Sequence, residues 1–315
     1  MKRFLIRRLL TVLPTLLLVT FVVFLLSNLV PGDIAVTLAG GAEATPEAIR
    51  AFREQLHLVD PLILQYLYWL GGAVRLDFGN SLFTGDSVAA SIAARLPITI
   101  GLVALALGIA IAIGVPLGAA SGIKPGGLLD RVGRLVSSFA VGVPNFVVAA
   151  LLIVIFAVTL QWLPPSGFVS FLDSPSEWLS HMILPAIAMG LFLSAELNRQ
   201  IRTGLIRELD KNYVRTLWSK GAGTGRVIGL HAMRNAISPA LTVLGVQVGT
   251  LLGGAVIIEQ VFAIPGIGTY LLQGIIGRDV PVVLGVVTVF VLIQMSMSLL
   301  VDVLYATLNP RIRVS

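Results

Sequence analysis

The sequence predicts an all-α polytopic membrane protein of six transmembrane helices, with a small external helical insertion after the first span. Three observations predict it. Of 315 residues, 56% are hydrophobic and only 12% charged, against about 25% charged in a soluble domain, and the mean hydropathy is +0.94. Apolar runs near the roughly 20 residues that a helix needs to cross hydrocarbon recur six times. Lysine and arginine gather in alternate connections between those runs, as the positive-inside bias requires.

The runs fall at 9–30, 97–121, 135–160, 181–197, 237–262 and 282–308. The fourth is the weakest, being short and carrying Pro185. An even number of spans puts both termini on one side. Lys2, Arg3, Arg7 and Arg8 precede the first span, and Lys124, Arg131 and Arg134 separate the second from the third. Eight more basic residues lie between Arg199 and Arg234, and Arg311 and Arg313 close the tail, so 17 of the 22 share one face. The connection 162–180 has no Lys or Arg but carries Asp173 and Glu177. Both termini are therefore expected in the cytoplasm, with the chain in the plasma (bacterial inner) membrane. The expected organisation is a tail and first span over 1–30, an external helical subdomain over 31–96, a membrane core over 97–308 and a cytoplasmic tail over 309–315.

The start MKRFLIRRLLTVLPTLLLVTFVVFLL has the charged head of a secretory signal. Its apolar run is longer than a signal core and ends in SNLVPGD without an A-x-A-like site, so a retained span is expected. Within 31–96, TPEAIRAFREQLHL places Thr45 as N-cap and Pro46 at the first helical position, with Ile49, Phe52 and Leu56 on one face of an amphipathic helix. A second apolar and aromatic stretch covers 61–70, and FGNSLFTGDS reads as a turn-rich cap before the second span. Such a subdomain either packs on the mouth of a pathway or is a structured loop with no ligand role.

The net charge of +6 and pI near 10.1 follow from topology and give no reason to expect nucleic acid. The absence of cysteine excludes disulfides and thiol chemistry. No H-E-x-x-H, G-x-S-x-G or Walker A pattern occurs, and His57, His181 and His231 stand far apart, so neither a metal site nor a catalytic centre is expected. Gly221-Ala222-Gly223-Thr224-Gly225 lacks the Lys-Ser/Thr of a phosphate loop and reads as a helix-breaking turn. Glu196, Glu259 and Asp302 fall near span ends, where structural carboxylates paired to Arg or backbone are expected rather than a proton relay. With neither a nucleotide site nor a buried relay in the chain, a partner must supply the energy.

The most informative segment is YVRTLWSKGAGTGRVIGLHAMRNAISP, over 213–239. A short helix ended by Gly221 would present Tyr213, Leu217 and Lys220 on about one side, at i, i+4, i+7. That knob fits a groove on a cytosolic protein; the alternative is a helix resting on lipid headgroups.

At these residues the chain resembles the permeases of binding-protein-dependent ABC importers, and within them the peptide branch. The coupling segment of that branch is similar to Tyr213, Val214, Arg215, Thr216, Lys220 and Gly221, followed by Arg234, Asn235, Ala236 and Pro239. RRLLTVLPTLLLVTFVVFLLSNLVPGD, PLILQYLYWLGGAVRLDFGNS, VIIEQVFAIPGIG and LVDVLYATLNPRIR resemble the family in the same order. Departures exist: the general signature opens Glu-Ala-Ala where Arg215, Thr216 and Leu217 stand, and Leu217 and Ser219 replace small alanines.

The resemblance implies a B-type membrane subunit of a dipeptide or oligopeptide importer, with the type I ABC importer permease fold. It implies that Tyr213, Arg215, Thr216, Leu217, Lys220 and Gly221, within a coupling segment over 211–239, dock on an ATPase. The implied partners are a second homologous permease, two cytosolic ATP-binding subunits and an extracytoplasmic solute-binding protein, all working in membrane lipid. ATP and Mg would be held by the partners, leaving this chain without cofactor or catalysis. Transport would run by alternating access, with Pro116, Pro144, Pro185 and Pro239 as structural kinks or gating hinges. Asn145, Gln247, Gln294 and Ser296 are candidates to line a mildly polar pathway. Relatives in this branch also move nickel chelates, haem or oligosaccharides. A stand-alone carrier, or an export or scaffold subunit, is the alternative from another class.

Overall fold

The computed structural model describes residues 2–29 and 33–308, with side-chain surroundings described for most of them. The chain opens with α1 (Lys2–Leu29), followed by three short helices, α2 (Ile34–Leu38), α3 (Pro46–Gln55) and α4 (Leu62–Ala73), and by the long α5 (Val88–Ile123). Next come α6 (Leu128–Gly142), α7 (Asn145–Leu152) with a π-helical extension to Thr159, and α8 (Pro175–Leu209). A string of short helices follows: α9 (Asn212–Ser219), α10 (Thr224–Arg226), a π turn over Val227–Ala232 and α11 (Met233–Ala236). The last three are α12 (Ser238–Val261), α13 (Ile267–Gly277) and α14 (Val280–Leu308).

Among the described residues, four helices, α5, α8, α12 and α14, are long and apolar enough to cross a membrane. The predicted first span lies in α1, whose stretch Leu13–Leu29 is apolar but shorter than the other spans. The predicted third span is not one straight helix. It bends by 106° between Leu128–Ala140 and Asn145–Thr159, because Val143, forced into extended backbone (φ −110°, ψ 125°) by the ring of Pro144, cannot continue α6. The fourth span, expected to be weak, is the 35-residue α8, which carries Pro185 buried in its interior. More of its apolar window is buried than in the other spans, 56% against 33–39%. A membrane helix tolerates a proline inside it where its surroundings can re-satisfy the freed backbone.

Two compact units form, with boundaries inside α5 and α14: residues 1–97 with 266–295, and 98–265 with 296–315. In the first, Tyr66 of α4 holds α1. Its hydroxyl lies 2.8 Å from Thr20 Oγ1 and donates to the Leu17 carbonyl, while Phe21, Phe24 and Trp69 stack around its ring. Thr45 caps α3 by accepting from the Ala48 amide at 3.3 Å, with Pro46 in the first turn. The turn-rich stretch closes on a single bridge between Asn80 and Ser87. It is pinned to the α13–α14 junction by Asp279, which accepts from Ser81 Oγ at 2.6 Å and from the Leu82 amide at 3.0 Å.

The second unit is built around α8, and glycine permits the approach. A Cβ at Gly114, Gly118 or Gly122 of α5 would lie 2.7–2.9 Å from Ser194 O, Asn198 O or Leu205 Cβ. This is the small-xxx-small packing of membrane helices, in which the missing side chain lets two backbones meet. On another side of α8, Arg202 donates to both oxygens of buried Asp130 of α6, at 2.6 and 3.1 Å. Asn198 donates to the Gly133 carbonyl and to Ser137 Oγ. Of the three carboxylates placed near span ends, Glu196 pairs with Arg199. Glu259 is fully buried and accepts from Thr99, and the side chain of Asp302 lies outside the described residues.

Candidate functional site

After α8 ends at Leu209, Lys211 takes extended backbone and α9 begins. One residue of this eight-residue helix, Val214, is buried; Arg215, Thr216, Trp218, Ser219 and Lys220 are exposed. Gly221 ends the helix in the left-handed region at φ +78°. The Gly221 amide donates to the Trp218 carbonyl at 2.9 Å and the Ala222 amide to the Leu217 carbonyl at 3.1 Å, which together make a Schellman close. A Cβ at Gly221 would meet nothing within 4 Å, so glycine is needed there for its backbone and not for space. The glycine-rich stretch after it is the turn into α10, whose first amide bonds run from Arg226 and Val227 to the Gly223 carbonyl.

Behind α9 lies a polar clamp. Glu208, 5% exposed on the last turn of α8, accepts at Oε1 from Tyr213 Oη and from Asn235 Nδ2, both at 2.8 Å. Lys211 Nζ stands 2.5 Å from its Oε2. Burial first, and then the bond to Glu208, push the Tyr213 hydroxyl above its ordinary pKa, so the phenol stays a donor across the physiological range. Asn235 belongs to α11, which comes close to α8 because Gly204 sits against the Ala236 backbone, where a Cβ would fall 2.6 Å from its carbonyl oxygen. Leu205, Ala232 and Ala236 make the apolar floor beneath. One carboxylate thus ties the end of α8, the inner face of α9 and the start of the α11–α12 stretch.

This arrangement differs from the presentation expected of the sequence. Tyr213 does not share an outward face with Leu217 and Lys220: its hydroxyl turns inward onto Glu208 and Leu217 is half-buried. The outward face carries Arg215, paired at 2.8 Å with Asp210, Thr216, Lys220 and Trp218, an indole 42% exposed. Thr216 spends its hydroxyl on the Asn212 carbonyl at 3.0 Å. Sequence reasoning passed over Trp218 and Glu208. The signal for Glu208 was a carboxylate one helical turn and a bend before an invitingly placed tyrosine, and for Trp218 a large apolar residue in an otherwise polar short helix.

The four pathway candidates lie on three helices, α7, α12 and α14. Asn145 begins α7 just after the bend, half-buried, with its Nδ2 facing Gly254 of α12, where a Cβ would lie 3.7 Å away. Gln247 is half-buried on α12, and Gln294 and Ser296 lie on α14, the first half-buried and the second exposed.

Residues 114–314 match the family described as the binding-protein-dependent transport system inner membrane component, and residues 1–103 match its N-terminal companion. A protein of Brucella abortus (strain 2308) named as a peptide transport system permease is 38% identical over 313 residues, covering 99% of each chain. The glutathione transport system permease protein GsiC of Pectobacterium atrosepticum is 37% identical over 313 residues, again 99% of each. Among solved structures, an inward-facing MetNI methionine ABC transporter superposes with a TM-score of 0.56 at 14% identity, over 70% of this chain and 96% of that one. A chain matched over almost its whole length in this way, with four long apolar helices, a bent fifth and no strand among the described residues, is a multi-pass membrane permease with the type I fold, and it belongs to the binding-protein-dependent transport system inner membrane component family.

Proposed function

We propose that this chain is one of two transmembrane subunits of an ATP-driven importer of short peptides, with both termini in the cytoplasm. It works beside a second homologous permease, two cytosolic ATP-binding subunits and an extracytoplasmic solute-binding protein. ATP and Mg are held by the ATPases, and this chain breaks no covalent bond. The observation that carries the reading is α9: a short helix with an outward face that includes exposed Trp218 and Lys220, and an inward face bonded through Glu208 to the long α8 and to the short α11 that leads into α12.

ATP-driven closure of the ATPases moves α9. Because Glu208 holds Lys211, Tyr213 and Asn235 together, the displacement passes to α8 and to the α11–α12 stretch as one piece and not as bending of a loop. The pathway then opens to the solute-binding protein, and hydrolysis returns it to the cytoplasmic side. A rigid handle on two spans is what a mechanical coupling needs. The outward position of Arg215, Thr216 and Lys220 supports their role in docking; Tyr213, Leu217 and Gly221 hold the shape of the docked helix. Peptide as cargo is supported by the names that relatives at 37–38% identity carry.

The test is uptake of labelled di- and tripeptides by cells lacking this chain and complemented with it, together with mild-detergent purification of the tagged chain. Restored peptide uptake and recovery of two ATPases with a second permease are the expected results. Restored uptake of a nickel chelate, haem or an oligosaccharide, with peptides unaffected, would move the cargo assignment. A chain recovered alone that transports without ATP would remove the importer reading.

A further inference from the structure

The first unit carries an open cavity of about 200 Å³ near the end of α1, with a smaller one of about 60 Å³ beside it; Ser27, Arg278 and Val280 line both. The larger cavity lies where the apolar run of α1 stops at Leu29 and that of α14 starts at Val280, so it sits at the level where hydrocarbon gives way to headgroups. Phe24 and Leu284, both buried, make an apolar wall.

Two hydrogen-bond donors along this cavity have no protein acceptor among the described residues, one buried and one exposed. Trp69 lines it, and its indole Nε1 is buried without a hydrogen-bond partner, an arrangement that folded proteins seldom leave unexplained. Arg278 lines both cavities from the end of α13, where it takes the left-handed conformation at φ +59° that glycine or asparagine usually fills. Among the described residues its guanidinium has neither an ion pair nor a hydrogen bond. The local backbone does not ask for an arginine at that position, and its exposed guanidinium is free to meet a ligand.

We propose that this cavity binds an anionic phospholipid, the phosphate on Arg278 and an ester carbonyl on the Trp69 indole N–H. The ligand class follows from the set of groups. A guanidinium at headgroup level takes a phosphate oxygen; an indole N–H just below it takes a carbonyl oxygen; Phe24 and Leu284 take the first methylenes. A cavity of this size holds somewhat more than a benzene ring, which suits the glycerol region of a lipid whose chains run out along the protein. A free phosphate would satisfy Arg278 and leave the indole and the apolar wall unmatched.

The test is native mass spectrometry of the full chain released from detergent, after equilibration with phosphatidylglycerol or phosphatidylcholine. The wild type should retain phosphatidylglycerol in preference, and Arg278→Gly, which gives the left-handed position its favoured residue, should lose the preference by roughly tenfold or more. Trp69→Phe, which keeps the ring and removes the donor, should weaken retention of both lipids severalfold. Lipid-free thermal melting is expected to be unchanged in Trp69→Phe and unchanged or raised in Arg278→Gly, which separates ligand loss from misfolding. Equal retention by wild type and both variants would overturn the site. Displacement of the lipid by millimolar inorganic phosphate from the wild type and from Trp69→Phe alike, but not from Arg278→Gly, would assign Arg278 to a free anion and overturn the lipid reading.

Discussion

The Tyr213 hydroxyl donates to Glu208 Oε1 at 2.8 Å, and Asn235, from the far side of the glycine-rich turn, donates to the same oxygen at the same distance. Two residues 22 positions apart are thereby made neighbours of one buried carboxylate. Replacing Glu208 with Gln keeps the shape and one acceptor but removes the charge that Lys211 faces at 2.5 Å. Hydrogen bonds to a charged group contribute about 1.5–3 kcal/mol each, so Glu208→Gln should loosen α9 from α8 and lower peptide uptake at least tenfold, while ATPase activity of the assembled complex persists. Tyr213→Phe should give a smaller loss in the same direction. Unchanged uptake in both variants would show that the clamp has no part in coupling.

Gly221 allows a cleaner separation of backbone from side chain. Its φ of +78° costs an L-residue about 1–2 kcal/mol, yet a Cβ there meets no atom within 4 Å. Gly221→Asn, which tolerates the left-handed region, should therefore transport nearly as the wild type does. Gly221→Val should fail, and Gly221→Asp, adding charge beside the docking face, should abolish uptake with membrane insertion intact. Uptake measured beside membrane protein level checks the series; a variant order set by side-chain volume instead of by left-handed tolerance would contradict it.

Much of this was legible before any coordinates. The periodic face Ile49, Phe52, Leu56 and the Thr45 cap announced α3 because capping and amphipathicity are local. Gly221 announced the end of α9 for the same reason. Pro144 announced a kink but not its size: hydropathy over 135–160 is continuous, and the pre-proline restriction that turns the chain by 106° acts on backbone that a window average cannot see. Pro185 misled in the opposite sense, since tertiary burial keeps α8 whole through it. The inward turn of Tyr213 depends on Glu208 and Asn235 meeting across a fold, which helical spacing alone does not encode.

The glycine stripe of α5 carries a stability prediction. Gly118 faces the Asn198 carbonyl oxygen and Ile201 Cβ, at 2.9 and 3.0 Å from an added Cβ. The contact on one side is backbone, which cannot rotate away. Gly118→Ala should destabilise by about 1–3 kcal/mol through overpacking, and Gly118→Leu should leave little folded protein in the membrane. Alanine at Gly108 of the same helix, where a Cβ meets nothing within 4 Å, is the matched control and should be silent. Thermal melting in detergent reads both; equal melting of the Gly118 and Gly108 variants would mean that the helices can part without cost.

The Asp33–Arg53 pair gives a pH dependence with a defined sign. The Arg53 guanidinium, bonded to Asp33 through Nε at 3.1 Å, holds the Asp33 carboxyl below its ordinary pKa, against a smaller opposing effect of burial. Asp33 also caps α2, accepting from the Ala35 amide at 2.9 Å, so the ionised form ties α2 to α3. A carboxylate whose folded pKa lies below the unfolded value of about 3.9 adds stability in full above that value and loses it as the pH falls through the folded one. Proteolysis of the 33–55 segment should therefore be constant from neutral pH down to about 5 and accelerate only in stronger acid. Asp33→Asn, which cannot ionise, should be cleaved faster than the wild type at neutral pH and show a flatter acid response. The same acid profile in wild type and Asp33→Asn would place the sensitivity on another group.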